Sequence, residues 1–173
     1  MNHTIVGLDL DHGTVEVAEH WLHELVHRLG HPAGLIACTH LVHEPHPHVA
    51  VSLSATDPRQ LADLPAGDAQ ATPGARRAAA EHRSRTAGRA IHYPGQEQLT
   101  GTLTVADVIR HSAIEQVVIL GGAPATPGTV LHTLDYVRPQ WREGRLTLVT
   151  RPAPGGSLAP FELQRSTPCC ADH

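Results

Sequence analysis

"TVEVAEHWLHELVHRLG", residues 14–30, decides the fold class. At 100° per residue, Val15, Ala18, Leu22, Leu25 and Leu29 fall on one side, the stripe that an amphipathic helix buries. Thr14 stands at the N-cap, and Gly30 and Pro32 follow as stop signals. Strands bracket this helix. "HTIVGLDL" (3–10) comes before it, with Val6, Leu8 and Leu10 on one face. "AGLIACTHLV" (33–42) and "HVAVSLSA" (48–55) come after it, and the short Pro-rich link between them predicts a hairpin.

The rest of the chain continues the alternation. Residues 56–74 are rich in Asp, Pro, Gly and Ala and are expected to form a mobile loop. Residues 75–89 are expected to be helical. Thr104 opens a capped segment, with Asp107 at the capping-box position. "QVVILGG" (116–122) and "RLTLVTR" (145–151) are strand-like, while Val130, Leu131, Leu134 and Val137 favour a helix over 127–138. The expectation is one globular domain over 1–151, α/β or α+β, with a mixed sheet and packed helices, followed by an irregular C-terminal tail over 152–173.

Composition narrows the function classes. Apolar residues make up 40% of the chain but aromatics only 3%, so the core must be mainly aliphatic. All thirteen basic residues are arginine, and Ala, Gly and Pro are abundant, a bias that points to a high-GC bacterial genome. Without lysine there can be neither a standard Walker A site nor a Schiff-base lysine, and the glycines at 121 and 122 lie outside any GxGxxG pattern. No nucleotide cofactor is therefore expected. The net charge of −4 argues against nucleic acid as a partner. Three cysteines, two of them adjacent, fit a reducing compartment. With no long apolar run and no leader-like N-terminus, the expected location is cytoplasmic, away from the membrane.

Histidine is over-used, at fifteen residues. Within the first helix, His23, Glu24 and His27 form His-Glu-x-x-His, whose spacing puts two imidazoles on one face with a carboxylate placed to act as a base on metal-bound water. With Gly30 in register, the stretch resembles the metzincin pattern HExxHxxGxxH over eight residues. It departs from that pattern at Ala33, where the family has its third histidine; the nearest histidine is His31. The helix rotation also sets His20, His23 and His27 opposite the apolar stripe, facing solvent or a partner subunit.

A second cluster lies in "THLVHEPHPHVAV" (39–51), with His40, His43, His46 and His48. In extended chain, His46 and His48 point the same way, and Pro45 and Pro47 hold them extended, so the pair could converge on one metal. Weaker candidate ligands are His31, His43, Cys169 and Cys170.

Two functional classes follow. The first is a histidine-rich protein that binds a transition metal, zinc first, through His23, His27, His46 and His48; it would be a metal-dependent hydrolase if Glu24 serves as the catalytic base. The second is a non-catalytic accessory or interaction domain, homo-oligomeric or bound to another protein. Its contacts would be the arginine-rich segment 75–89 or the C-terminal tail.

Overall fold

The computed structural model describes residues 3–164. The chain runs β1 (Thr4–His12), α1 (Val15–Arg28), β2 (Ile36–Val42), β3 (His48–Ala55), α2 (Asp68–Ala71), α3 (Pro73–Ser84), β4 (Arg89–His92) and β5 (Thr102–Thr104). It continues with α4 (Val105–His111), β6 (Gln116–Ile119), β7 (Val130–His132), β8 (Gln140–Arg142), β9 (Arg145–Ala153) and β10 (Ser157–Pro160). All ten strands join one mixed sheet in the order β1-β3-β2-β4-β8-β9-β10-β7-β5, with β6 pairing on β9. Only β6–β9 and β7–β10 are parallel. The fold is α+β.

The first helix forms as its sequence requires. The Thr14 hydroxyl accepts the Val17 amide at 3.3 Å. At the other end, the Gly30 amide donates to His27 and the His31 amide to Val26, the paired bonds of a Schellman cap. Ala18, Leu22, Leu25 and Val26 are buried against Leu8, Val49, Val51 and Leu53.

Every residue of β3 is buried, because helices cover both faces of the sheet there. Val49, Val51 and Leu53 face α1. His48, Ala50, Ser52 and Ser54 alternate with them and face α3. β3 lies between β1 and β2, antiparallel to both, and the β2–β3 register runs unbroken from Ile36↔Ser54 to Val42↔His48. The expected hairpin is present. A second core, around Tyr93, Val108, Ile114, Leu131, Leu146 and Leu148, fills the other half of the sheet.

Several local expectations need correction. Residues 127–138 are not helical: Val130–His132 form β7 between β5 and β10, and Leu134 and Asp135 take positive φ values that end the strand. Strand pairing there overrides the 3.6-residue pattern. The segment 56–74 contains a 3-10 turn at Pro58–Leu61 and the short α2, with Leu61 and Leu64 buried. The arginine-rich helix ends at Ser84; Arg85 is left-handed and Arg89 belongs to β4. Residues 152–160 carry the end of β9 and all of β10, so the irregular tail does not begin at 152. Leu10 is exposed, because the β1–β3 register shifts between Leu8 and His12 and breaks the alternation. The Thr104–Asp107 capping box forms as expected, with the Thr104 hydroxyl accepting the Asp107 amide at 3.1 Å.

β1 and α3 pack too closely to admit a side chain at Gly7. A Cβ there would stand 1.9 Å from the Ala75 carbonyl oxygen. Gly7→Ala is expected to destabilise the fold by about 2–3 kcal/mol through forced separation of strand and helix. Gly13→Ala, where a Cβ meets nothing within 4 Å, should shift the urea midpoint far less. Equal midpoints for the two variants would contradict this packing.

Candidate metal centre

Two polar systems lie on the α3 side of the sheet. The first is at the open end of β3. β1 brings Asp9 and Asp11 alongside the end of the β2–β3 hairpin that carries His46 and His48. The His46 and His48 ring centroids are 5.0 Å apart. His46 Nε2 lies 2.7 Å from Asp11 Oδ1, and His48 Nδ1 lies 4.0 Å from the same oxygen. Ligand atoms of Asp11, His46 and His48 can be chosen that all fall within 4.8 Å of one another, and no other such group of three occurs among the described residues. Two ligands held 2.0–2.1 Å from a tetrahedral ion stand about 3.3 Å apart, and the observed 2.7 and 4.0 Å bracket that spacing.

His48 is buried and held from both sides. Its Nε2 donates to Asp9 Oδ2 at 3.0 Å and its Nδ1 to the His46 carbonyl at 2.8 Å. With oxygen acceptors at both nitrogens the ring keeps both protons. The His46 carbonyl bond first, and then Asp9, outweigh burial and raise its pKa. Burial works against ionised Asp9, but bonds from His48, the Asp11 amide and Thr72 outweigh it and hold its pKa below the usual carboxylate range. Asp9 sits against the first turn of α3, where a carboxylate also meets the favourable end of the helix dipole. Gly74 makes room for it, since a Cβ at that position would lie 2.1 Å from Asp9 Oδ2. Asp11 and His46 are more than half exposed, so the group opens to solvent.

The second system is enclosed. Glu81 of α3 accepts from His40 Nδ1 at 2.8 Å, and His40 Nε2 lies 2.7 Å from the Ser52 hydroxyl. Ser52 in turn lies 2.7 Å from His82 Nδ1. The carboxylate fixes the polarity of the chain. A proton on His40 Nδ1 makes Nε2 an acceptor, so the Ser52 O–H donates to it, and the Ser52 oxygen then accepts from His82 Nδ1–H. The order carboxylate, imidazole, hydroxyl is that of a catalytic triad, but Ser52 is wholly buried in mid-strand and the arrangement ties β2, β3 and α3 together. Gly88, at φ +124, packs its backbone against His40, where a Cβ would come within 2.7 Å of the ring. Cys38 lies in the same layer, and burial pushes its thiol up to about 12, which keeps it protonated.

The remaining sequence candidates are dispersed. His23, Glu24 and His27 are exposed on α1, and Glu24 pairs with His20 at 3.3 Å. Neither His23 nor His27 shares a three-ligand group with His46 or His48 among the described residues. His31, past the helix end, stands beside His27 and His92. His43 is exposed at the hairpin and lines a separate cleft with Arg77 and Glu81. Cys169 and Cys170 lie outside the described residues.

The arginines do not form one patch. Arg77 pairs with Glu81, Arg85 stacks over Trp141, and Arg89 is held by Glu162 and Glu19. Sequence reasoning missed Asp9 and Asp11, though their i, i+2 spacing at the end of a strand was a usable signal. It also missed Glu81, Ser52 and His82. No helix of the described residues is long and apolar enough to cross a membrane. Comparison with protein families, with characterised proteins and with solved structures finds no match for this chain.

The two systems titrate in opposite directions. Burial first, then repulsion from neighbouring groups that include Arg85, lowers the His82 pKa from 6.5 to about 3. A lowered histidine contributes stability above pH 6.5 that is lost as pH falls toward 3, with a slope of at most about 1.4 kcal/mol per pH unit. His48, with a raised pKa, contributes stability below 6.5 that is lost as pH rises through its folded value. His82→Gln should flatten the acid limb of a stability–pH curve measured by urea denaturation; an unchanged limb would contradict the buried neutral imidazole. Ser52→Ala should cost about 1–3 kcal/mol at neutral pH by leaving His40 and His82 unpaired, and a neutral result in the same assay would count against the chain of bonds.

Proposed function

We propose that the protein binds a divalent transition metal through Asp11, His46 and His48. The observation that carries this is the convergence of two imidazoles and a carboxylate at one solvent-open point, with the buried imidazole oriented from behind by Asp9. A metal-binding histidine commonly donates its second ring N–H to a carboxylate, which fixes the ring and raises its basicity. His48 Nε2 and Asp9 have that relation. His48 Nδ1 would give up its proton and its bond to the His46 carbonyl in favour of the ion, and His46 Nε2 and Asp11 would complete the set.

Two nitrogens and one oxygen suit Zn²⁺ best among common ions, with Co²⁺, Ni²⁺ and Fe²⁺ accommodated by the same donors. Three protein ligands leave positions for water and substrate, which is how catalytic zinc sites differ from structural ones. Metal-assisted hydrolysis is accordingly the activity to assay first. In such a reaction the ion would supply a water acidified toward neutrality. The chain would supply fixed ligands, Asp9 as the positioning group, and open access past Asp11 and His46.

Calorimetric titration of metal-free protein with Zn²⁺ tests the proposal. His46→Ala and His48→Ala should abolish binding at this site, and Asp9→Asn should weaken it about 10–100-fold without removing a ligand. Affinity should fall as pH drops, because protons compete with the ion for the His48 imidazole, whose pKa is raised. Undiminished affinity in His48→Ala would remove the proposal. Hydrolysis of small activated esters and phosphoesters, screened with and without Zn²⁺, tests the catalytic extension separately.

A further inference from the structure

A network of half-buried charge joins α1, β4 and the two loops after β7 and β10, and it shares no residue with the Asp11–His46–His48 group. Its centre is Arg89, at the start of β4, and all three nitrogens of its guanidinium are engaged. Nη1 donates to Glu19 Oε2 on α1 at 3.0 Å. Nε and Nη2 form a fork on the Glu162 carboxylate, with Nε 2.7 Å from Oε1 and 2.9 Å from Oε2. Nη2 also donates at 2.7 Å to the Tyr136 hydroxyl, which in turn stands 3.5 Å from Glu162 Oε1. Behind them, Arg138 donates to Glu19 Oε1 at 3.0 Å and lays its guanidinium 4.4 Å from the Tyr136 ring centre.

The four charged groups are not held alike. The side chains of Arg138, Glu19 and Arg89 are 9%, 15% and 18% exposed, whereas that of Glu162 is 41% exposed. Glu19 and Arg89 belong to a helix and a strand, but Glu162 lies two residues past the end of β10. Glu162 is also part of the wall of two cavities. One, of about 680 Å³, runs along α1 past Val15, Glu19 and His23 to Arg89 and Tyr136. The other, of about 230 Å³, lies beside Arg138 and Gln140. The larger falls within the roughly 300–1,000 Å³ usual for small-molecule sites. Withdrawal of the Glu162 side chain would leave Arg89 and Arg138 facing a single carboxylate, Glu19. Burial opposes the Arg89 charge, and Glu162 is the first of the groups that offset it, so the place it leaves calls for another anion.

We propose that this cleft binds a small organic monocarboxylate, which takes the place of Glu162 on the Arg89 fork and the Tyr136 hydroxyl. A planar guanidinium matches a carboxylate bidentately. Glu19 and Arg138 hold the fork and the tyrosine in position before the ligand arrives. Val15 and the exposed Leu163 offer apolar contact to the body of the ligand. Glu162 is then an internal competitor, a carboxylate of the chain standing where that of the ligand would. The single excess positive charge left by its withdrawal sets the charge of the ligand at −1.

Calorimetric titration of the full chain with benzoate, and with benzamide as its uncharged counterpart, tests this without added metal. Glu162→Ala should bind benzoate at least about tenfold more tightly than wild type, since hydrogen bonds to a charged partner carry that much. Benzamide should not bind. Glu162→Gln keeps the side-chain volume without the charge and should also gain affinity, so it decides the matter if Glu162→Ala does not fold. Binding should disappear in Glu162→Gln/Arg89→Gln. It should weaken about five- to tenfold in Glu162→Gln/Tyr136→Phe, which leaves the Arg89–Glu19 pair intact. Absence of benzoate binding in the folded Glu162 variants overturns the proposal. So does equal affinity in wild type and variant, equal affinity for benzamide, or affinity unchanged by both the Arg89 and Tyr136 substitutions.

Discussion

The structure depends on one constraint: β3 is buried on both faces, and one of those faces is polar. Toward α1 it presents Val49, Val51 and Leu53, which need only be packed. Toward α3 it presents His48, Ser52 and Ser54 alongside Ala50. Polar groups withdrawn from water must find partners, or each costs on the order of 1–3 kcal/mol. The neighbouring elements carry those partners. β1 brings Asp9 to His48, and α3 brings Glu81 and His82 to the His40–Ser52 pair. This is why glycine stands at 7 and 74, where α3 comes nearest to β1 and its side chains.

The candidate metal centre is the point where this polar layer reaches solvent. Deep in the layer, each histidine nitrogen that finds a partner meets a hydroxyl or carboxylate, and the bonds serve to hold β2, β3 and α3 together. At the end of β3 the layer opens, and His48 keeps Nε2 on Asp9 and Nδ1 on the His46 carbonyl, with the exposed Asp11 carboxylate 4.0 Å from Nδ1. A ring fixed from behind by a carboxylate, whose Nδ1 would exchange the His46 carbonyl for an ion, has the support that metal-binding histidines use. The chemistry thus follows from position along one strand: the residue types that lock the interior become a coordinating set where water and ions can enter.

Much of the scaffold was legible in the sequence because local signals and burial agreed there. The Thr14 cap, the Gly30 stop, the alternation of 48–55 and the Thr104–Asp107 box all rest on interactions within a few residues. β7 was not legible, since Val130, Leu131, Leu134 and Val137 fit a helical period and only pairing with β5 and β10 decides otherwise. The three-residue strands β5 and β8 are too short to carry a pattern of their own. At the site, the His46–His48 pair could be read from its spacing. Asp9 and Asp11 lie more than thirty positions away, and their pairing depends on the β1–β3 register, which no local pattern encodes. His-Glu-x-x-His marked an exposed helix face, on which Glu24 pairs with His20.

The central claim is that Asp11, His46 and His48 hold one metal ion with Asp9 behind His48. Anomalous diffraction above the zinc absorption edge, from crystals of the full chain grown with Zn²⁺, tests it most directly. The account predicts a peak about 2.0–2.1 Å from His46 Nε2 and His48 Nδ1 and near an Asp11 oxygen, with His48 Nε2 still bonded to Asp9. Zinc bound elsewhere while the Asp11–His46–His48 group stays empty would contradict it.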